Sequence, residues 1–114
     1  MALEIRKGSV YVADLNPRFG TEPGKVRPVV VIQTDLINGF HPSTIVCPLT
    51  TKVDPTAKYL RVHLSAKESG LEKPSDALVD QIRAIDNRRL KKCIGNISRR
   101  AQKELTERLK LLLS

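Results

Sequence analysis

The sequence predicts a mainly β (α+β) fold, a small curved barrel of antiparallel strands followed by one C-terminal amphipathic helix. Up to residue 85, apolar residues form short alternating or continuous runs separated by segments rich in proline and glycine, which is typical of strands and turns. From Ser98 onward they recur at helical spacing, without a glycine or proline. At 114 residues the chain has the length of one domain, which we expect to span residues 1–114.

The first two predicted strands flank a loop with unusual backbone restraints. Residues 9–15 alternate in character, and residues 28–33 contain four consecutive β-branched side chains, which indicates a strand buried on both faces. The intervening residues 16–25 contain two prolines and two glycines, which preset or relax the backbone. A loop with several fixed positions therefore leads directly into a buried strand.

The remaining elements follow from the same patterns. Strands are predicted at residues 44–49, 59–64 and 77–85, with loops at residues 35–42, 52–58 and 68–74. A helical turn is predicted at residues 87–91, followed by a strand or loop at residues 93–97. Ser98 is the expected N-cap of the terminal helix, whose apolar face comprises Ala101, Leu105, Leu109 and Leu112.

The charge of the chain is positive and unevenly distributed. The net charge is +8, yet residues 1–82 contain ten basic and nine acidic side chains, whereas residues 83–114 contain ten basic and three acidic ones. This asymmetry indicates a polyanionic partner, either nucleic acid or an acidic protein segment, although a basic helix that serves solubility alone explains it equally well. The four aromatic residues are too few for a sheet that stacks several RNA bases.

Several classes of protein are excluded by what the sequence lacks. It has no phosphate-binding glycine loop, dinucleotide fingerprint, HExxH zinc motif or GxSxG nucleophile motif. Two isolated cysteines predict neither a disulfide framework nor a zinc site, and no apolar run approaches the roughly 20 residues that cross a membrane. His63 is interpreted as a solvated strand residue and His41 as a loop surface residue. We expect a reduced, soluble, cytoplasmic protein.

Arg27 is the first candidate for chemistry. It follows the restrained loop, directly precedes the buried β-branched run, and is biased toward an extended backbone by Pro28. Two interpretations remain: an ordinary arginine paired with a carboxylate, or a guanidinium held at a sheet end to bind a phosphate by two hydrogen bonds. A second polar cluster, Thr50, Thr51 and Lys52, follows another predicted strand.

Taken in order, these segments resemble the MazF/PemK family of bacterial toxins. The resemblance is carried by GSVYVADLNP at residues 8–17, GTE at 20–22, VRPVVVI at 26–32, CPLTT at 47–51 and ALVDQIRAID at 77–86. It covers essentially the whole chain with the expected spacing. The resemblance implies an SH3-like barrel with added helices, related to that of CcdB toxins, and a homodimer.

The resemblance also implies a function. Members of this family are toxins of type II toxin–antitoxin systems, and they are endoribonucleases that cut single-stranded RNA at short sequences. They use no metal and no cofactor, and the 2′-hydroxyl of the substrate attacks to leave a 2′,3′-cyclic phosphate and a 5′-hydroxyl. The catalytic arginine corresponds to Arg27 and the catalytic threonine to Thr50, with Thr51 the less favoured substitute.

Further residues are expected to bind the RNA. Lys25 and Lys52 would contact phosphates, Glu22 and Gln81 would hydrogen-bond base edges, and Phe19 would stack on a base or cap the core. Thr21 replaces the usual serine of the family loop and keeps its hydroxyl, and Thr51 lies beside the catalytic threonine. Pro23 departs from the family pattern, and we expect it to stiffen the loop and alter base preference.

The partners and the rival functions also follow from the resemblance. A cognate acidic antitoxin is expected to meet the basic region at residues 83–114 or the groove beside Arg27. The homodimer would use the apolar residues 111–113 or the strand edges. Two other functions remain: a CcdB-like toxin that binds gyrase without cutting RNA, and a non-catalytic nucleic-acid binding module.

Overall fold

A computed structural model describes residues 4–17, 19–22 and 25–114. It contains seven strands and two helices: β1 Ser9–Asp14, β2 Val26–Val31, β3 Ser43–Thr50, β4 Arg61–Leu64, α1 Ala66–Ser69, β5 Ser75–Leu78, β6 Arg83–Asp86, β7 Leu90–Asn96 and α2 Arg99–Leu113. Two 3₁₀ turns, Val79–Gln81 and Asn87–Arg89, flank β6. Within these described ranges, no helix has the length and apolarity to cross a bilayer.

The strands form one antiparallel sheet in the order β4-β5-β3-β2-β1-β7. The central strand β3 carries β2 along one edge, while its other edge pairs first with β6 and then with β5. No ladder of the described strands joins β4 to β7, so the sheet curves without closing. The predicted mainly β fold with a C-terminal helix is confirmed.

The sheet has an apolar core on each face. On one face, α2 lays Ala101 and Leu105 against residues of β3, β4 and β5. On the other face a second cluster joins β1, β2, β3 and the start of β7. Val29 and Val31 belong to this second cluster and Val30 to the first, which explains the continuous β-branched run in β2.

Most predicted strand ends differ from the structure by one to three residues, and two differences are larger in kind. The run at residues 77–85, predicted as one strand, is divided by the 3₁₀ turn into β5 and β6, which pair with different halves of β3. Part of the predicted loop at residues 68–74 belongs instead to helix α1, because Ser65 and Glu68 form a reciprocal capping box. Both differences arise from short local structures that an apolar pattern does not reveal.

Candidate active site

Arg27 and Thr50 lie at the same end of two neighbouring strands. β2 pairs with β3 so that Val29 faces Pro48, and continuing this register by two residues places Arg27 opposite Thr50. Residues that face each other in an antiparallel pair have Cβ atoms about 5 Å apart. Both side chains are half-buried, so each has access to the surface. The sequence predicted this pair, and the strand register supports their proximity.

The base of the loop before Arg27 is fixed by hydrogen bonds. The Lys25 amide donates to Oδ1 of Asn16 at 2.7 Å, and the Lys25 carbonyl accepts from the amide of Leu15 at 2.9 Å. Lys25 itself has a positive φ of 63°, a backbone conformation that residues other than glycine rarely adopt. The guanidinium of Arg89 donates to the carbonyls of Asp14 and Asn16. The loop is thus anchored two residues before Arg27, and sequence reasoning did not identify Arg89 as an anchor.

The predicted RNA-binding residues of this loop are exposed. Phe19, Thr21 and Glu22 lie on a turn in which the Glu22 amide donates to the Phe19 carbonyl at 3.0 Å. The side chain of Phe19 is 69% exposed, so it does not cap the core. The expected stiffening by Pro23 falls outside the described residues.

A polar turn follows Thr50. The hydroxyl of Thr50 accepts a hydrogen bond from the amide of Lys52 at 3.2 Å, which fixes the direction of the chain after β3. The side chains of Thr51 and Lys52 are exposed. Thr50 is therefore the half-buried member of the threonine pair, beside the end of β2, and Thr51 faces solvent.

A surface groove of about 380 Å³ lies beside this turn. It brings together two predicted RNA-binding residues from distant parts of the sequence, Thr21 and Gln81. Its other lining residues are Asp54, Ala57, Leu60, Arg61, Leu78 and Asp80. The groove thus offers carboxylates, an amide, a hydroxyl and one guanidinium, the groups that hydrogen-bond the edges of unpaired bases.

Sequence reasoning missed a charged cluster beside Thr50. Asp76 pairs with Thr50 across β5 and β3 and has a fully buried carboxylate. Its oxygens accept hydrogen bonds from Nδ1 of His63 at 2.6 Å, Nη1 of Arg61 at 3.0 Å and the amide of Asp54 at 2.9 Å. The alternating sequence of β4 indicates that Arg61 and His63 share a polar face, but nothing in that pattern indicates the buried carboxylate between them.

The cluster shifts two pKa values. Burial opposes ionisation of Asp76, but the hydrogen bonds from Asp54, His63 and Arg61 outweigh it and lower the pKa of that carboxyl. The pKa of His63 is raised, chiefly by its hydrogen bond to Asp76, against a smaller opposing effect of burial. His63 is therefore the partner of a buried anion, and the prediction of a merely solvated histidine was incomplete.

Other candidate centres are weaker. In residues 4–17, 19–22 and 25–114, no group of three or more His, Cys, Asp or Glu side chains is arranged to hold a metal ion. Burial raises the pKa of the Cys47 thiol to about 12, so this thiol stays protonated. Among the described residues, the polar groups that remain as candidates are those of Arg27, Thr50 and the neighbouring groove.

The chain is similar to known proteins over nearly its whole length. Over 110 residues the chain is 38% identical to Endoribonuclease EndoA of Bacillus subtilis, covering 96% of this chain and 95% of that protein. It superposes on MazF of Deinococcus radiodurans with a TM-score of 0.82 at 24% identity, covering 96% of each chain. The chain also superposes on an endoribonuclease from a mycobacterial species, solved in complex with its cognate antitoxin. The TM-score is 0.77 at 17% identity, covering 96% of this chain and 94% of that one.

A family model also matches the chain. The model of PemK-like, MazF-like toxins of type II toxin–antitoxin systems matches residues 6–113. This match spans nearly the whole chain and includes every predicted site residue. The chain therefore belongs to the family of PemK-like, MazF-like toxins of type II toxin–antitoxin systems.

Proposed function

We propose that this toxin is an endoribonuclease that cuts single-stranded RNA at a short sequence, without a metal ion. The observation that supports the proposal is the register of β2 and β3, which pairs Val29 with Pro48 and, continued by two residues, sets Arg27 opposite Thr50. The similarity to Endoribonuclease EndoA supports the same activity. A permanent cation beside a hydroxyl, both reachable from the surface, suits a phosphodiester substrate.

The proposed reaction is an internal transfer. The 2′-oxygen of the RNA forms a bond to phosphorus, the bond to the 5′-oxygen breaks, and one proton passes in net from the 2′-hydroxyl to the leaving oxygen. The products are a 2′,3′-cyclic phosphate and a 5′-hydroxyl. Negative charge grows on the non-bridging oxygens, and the fixed donors of Arg27 stabilise that charge. The Thr50 hydroxyl orients the same phosphate.

Neighbouring residues would hold the rest of the substrate. In this proposal Lys25 and Lys52 contact phosphates on either side of the scissile one. Phe19, exposed on its loop, stacks on an unpaired base. Thr51 contributes its exposed hydroxyl beside the catalytic turn, and the bases next to the cut are read by Glu22 and, in the groove, by Thr21 and Gln81.

Cleavage of a defined RNA in EDTA tests this proposal. We expect cutting in the chelator and fragments that carry a 2′,3′-cyclic phosphate and a 5′-hydroxyl. A matched RNA with one 2′-deoxynucleotide at the cut site should resist cleavage there and be cut normally elsewhere. Intact RNA from a varied set of substrates, together with inhibition of DNA gyrase, would overturn the proposal and favour the CcdB-like alternative.

We further propose that the toxin acts in the cytoplasm as a homodimer and is neutralised by an acidic antitoxin. The excess of basic residues in 83–114 supports the charge of that partner. The mycobacterial endoribonuclease with its cognate antitoxin offers a structural precedent. The rate of association with the antitoxin should fall steeply as salt rises. An affinity and an association rate that are insensitive to salt would contradict the electrostatic part of the proposal.

A further inference from the structure

One buried carboxylate fastens the loop that follows Thr50. Asp76 is completely buried in β5, directly opposite Thr50 of β3 and opposite His63 of β4. Three donors satisfy it, from His63, Arg61 and the backbone amide of Asp54. A buried charge in such a position persists only with this kind of compensation.

The side-chain donors also bind the loop between β3 and β4. Nη1 of Arg61 donates to the carbonyl of Lys52 at 2.8 Å, and Nε2 of His63 lies 3.3 Å from the carbonyl of Ala57. Together with the amide of Asp54, the loop is therefore attached at three backbone positions, 52, 54 and 57. All three attachments lead to Asp76 directly or through one side chain.

These attachments lie close to the proposed catalytic hydroxyl. Lys52, whose carbonyl Arg61 binds, donates its own amide to the Thr50 hydroxyl. A displacement of the loop at Lys52 would therefore redirect the lone pairs of that hydroxyl. Small misplacements of this kind reduce rates by up to about a hundredfold, because the reacting groups lose their alignment.

We propose that Asp76 is a positioning residue for RNA cleavage, which holds Thr50 and Lys52 in place through Arg61 and His63. The proposal rests on the role proposed above for Thr50. Asp76 is too deeply buried to touch the RNA itself. Its contribution is the geometry of the loop, so its loss should lower kcat more than it raises KM.

The histidine makes this geometry sensitive to protonation. An ionised Asp76 only accepts, so Nδ1 of His63 keeps its proton. The protonated ring also donates from Nε2 to the carbonyl of Ala57, whereas the neutral ring presents a lone pair there and loses that attachment. The charged groups around His63 are Asp76 of β5, Arg61 of β4, Asp54 of the loop and Glu104 of α2.

The hydrogen bond to Asp76 is the largest influence on the ring and raises the pKa of His63, whereas burial opposes the protonated form less strongly. The charge of Glu104 favours the protonated form as well. A raised folded-state pKa means that the protonated contact is complete at acidic pH and is lost as pH rises through that value. Loosening of the loop at its Ala57 end is therefore expected on the alkaline side, while the contacts of Asp76 with Arg61 and Asp54 persist.

The experiment compares Asp76→Asn and His63→Gln with two matched controls, Asp86→Asn and His41→Gln. Asp86 lies opposite Ser43, at the far end of β3, and His41 is an exposed loop residue. Single-turnover and steady-state cleavage give kcat and KM separately. We expect kcat to fall about ten- to hundredfold for Asp76→Asn and severalfold for His63→Gln, with KM changing less and the controls unchanged.

The pH dependence adds a second readout. The ratio of wild-type kcat to that of His63→Gln should decrease from about pH 6 to about pH 9. At the higher pH the neutral histidine no longer donates to the Ala57 carbonyl, so the wild type lacks the same hydrogen bond as the variant. A ratio that stays near one at every pH would overturn the role of His63. Wild-type kcat in a folded Asp76→Asn variant would overturn the proposal as a whole.

Hydrogen exchange of the loop amides separates this proposal from the nuclease proposal, since it needs no RNA. Exchange across residues 51–58 should be faster in both variants than in the wild type. At the Asp54 amide the increase should be larger in Asp76→Asn than in His63→Gln. If exchange is faster in the variants but the wild-type protein cuts no RNA, the loop attachment stands and its role in catalysis is refuted. Unchanged exchange in both variants would refute the attachment itself. His63→Gln decides the matter if Asp76→Asn does not fold, because the His63 side chain is 46% exposed.

Discussion

The two ends of strand β3 use different kinds of polar interaction. At its beginning, near Ser43, the buried contacts are neutral: Thr44 donates to the Asn87 side chain at 2.6 Å, and Gln33 donates to Asn38 at 2.9 Å. At its other end, near Thr50, a buried carboxylate is surrounded by an arginine and a histidine.

This difference separates a part to which we assign a role in folding from the part to which our proposal assigns chemistry. The buried amides of the first end do not titrate, although Asn38 also donates to the exposed carboxylate of Asp35 at 2.9 Å, so the buried contacts of this end fix the loop conformation. Charged groups cost more to bury, and buried clusters of charged groups are concentrated at functional sites. The comparison predicts that mutations at the first end reduce stability and mutations at the second reduce cleavage.

The largest expected effect is that of Arg27→Ala. Removing the donor that stabilises the transition state should reduce cleavage about a hundred- to a thousandfold, or about 3–4 kcal/mol. The control is Arg88→Ala, which removes an exposed arginine that pairs with Asp86. Single-turnover rates on one RNA, with melting curves for both variants, give the measurement. If Arg27→Ala cuts as fast as the wild type, Arg27 has no part in the mechanism.

Thr50→Val and Thr51→Val form a pair that tests which hydroxyl is used. Loss of a hydrogen bond to a charged phosphate costs about 1.5–3 kcal/mol, so Thr50→Val should slow cleavage roughly ten- to a hundredfold. Thr51 faces solvent, and its valine variant should stay within a fewfold of the wild type. The reverse order of rates would assign the catalytic hydroxyl to Thr51.

At the opposite end of β3, Asn38→Ala should affect stability and leave catalysis alone. Asn38 donates to the carbonyl of Gln33 at 2.9 Å and accepts from its side chain, so its removal leaves buried groups unpaired and costs about 1–3 kcal/mol. The exposed Asn96→Ala should remain within about 0.5 kcal/mol. Urea unfolding gives the free energies. A loss of cleavage per folded molecule in Asn38→Ala would erase the contrast between the two ends.

The smallest effect concerns stability in acid. Because the pKa of Asp76 is lowered from its usual 3.8, this carboxylate stabilises the fold above that value and ceases to do so as pH falls through its folded-state pKa. The free energy of unfolding should therefore rise less between acidic and neutral pH in Asp76→Asn than in the wild type. Equal slopes in urea unfolding at a series of pH values would show that folding does not lower the pKa of Asp76.

Much of the fold could be predicted because its signals are local. The β-branched run at residues 29–32 and the uninterrupted apolar spacing after Ser98 indicate a doubly buried strand and an amphipathic helix without knowledge of their neighbours. The division of residues 77–85 could not be predicted. The 3₁₀ turn there exists because β3 offers its edge to two different strands, which is a property of pairing and not of the sequence window.

The candidate site divides in the same way. Arg27 and Thr50 could be identified from their place after a restrained loop and at a strand end, and from the family motifs around them. His63 was interpreted as solvated because its partner Asp76 lies 13 residues away and on another strand. A single acidic residue between a serine and an alanine carries no local sign that it will be buried among donors.

The sequence by itself determined the family and the kinds of secondary structure, and it predicts the reacting groups, since each depends on residues that are near one another in the chain. Tertiary structure decided which groups meet. The register between β2, β3, β5 and β4 places Arg27, Thr50, Asp76 and His63 along one end of the sheet. Strand pairing is fixed by the burial of both faces of the sheet as a whole, so no segment contains that information alone.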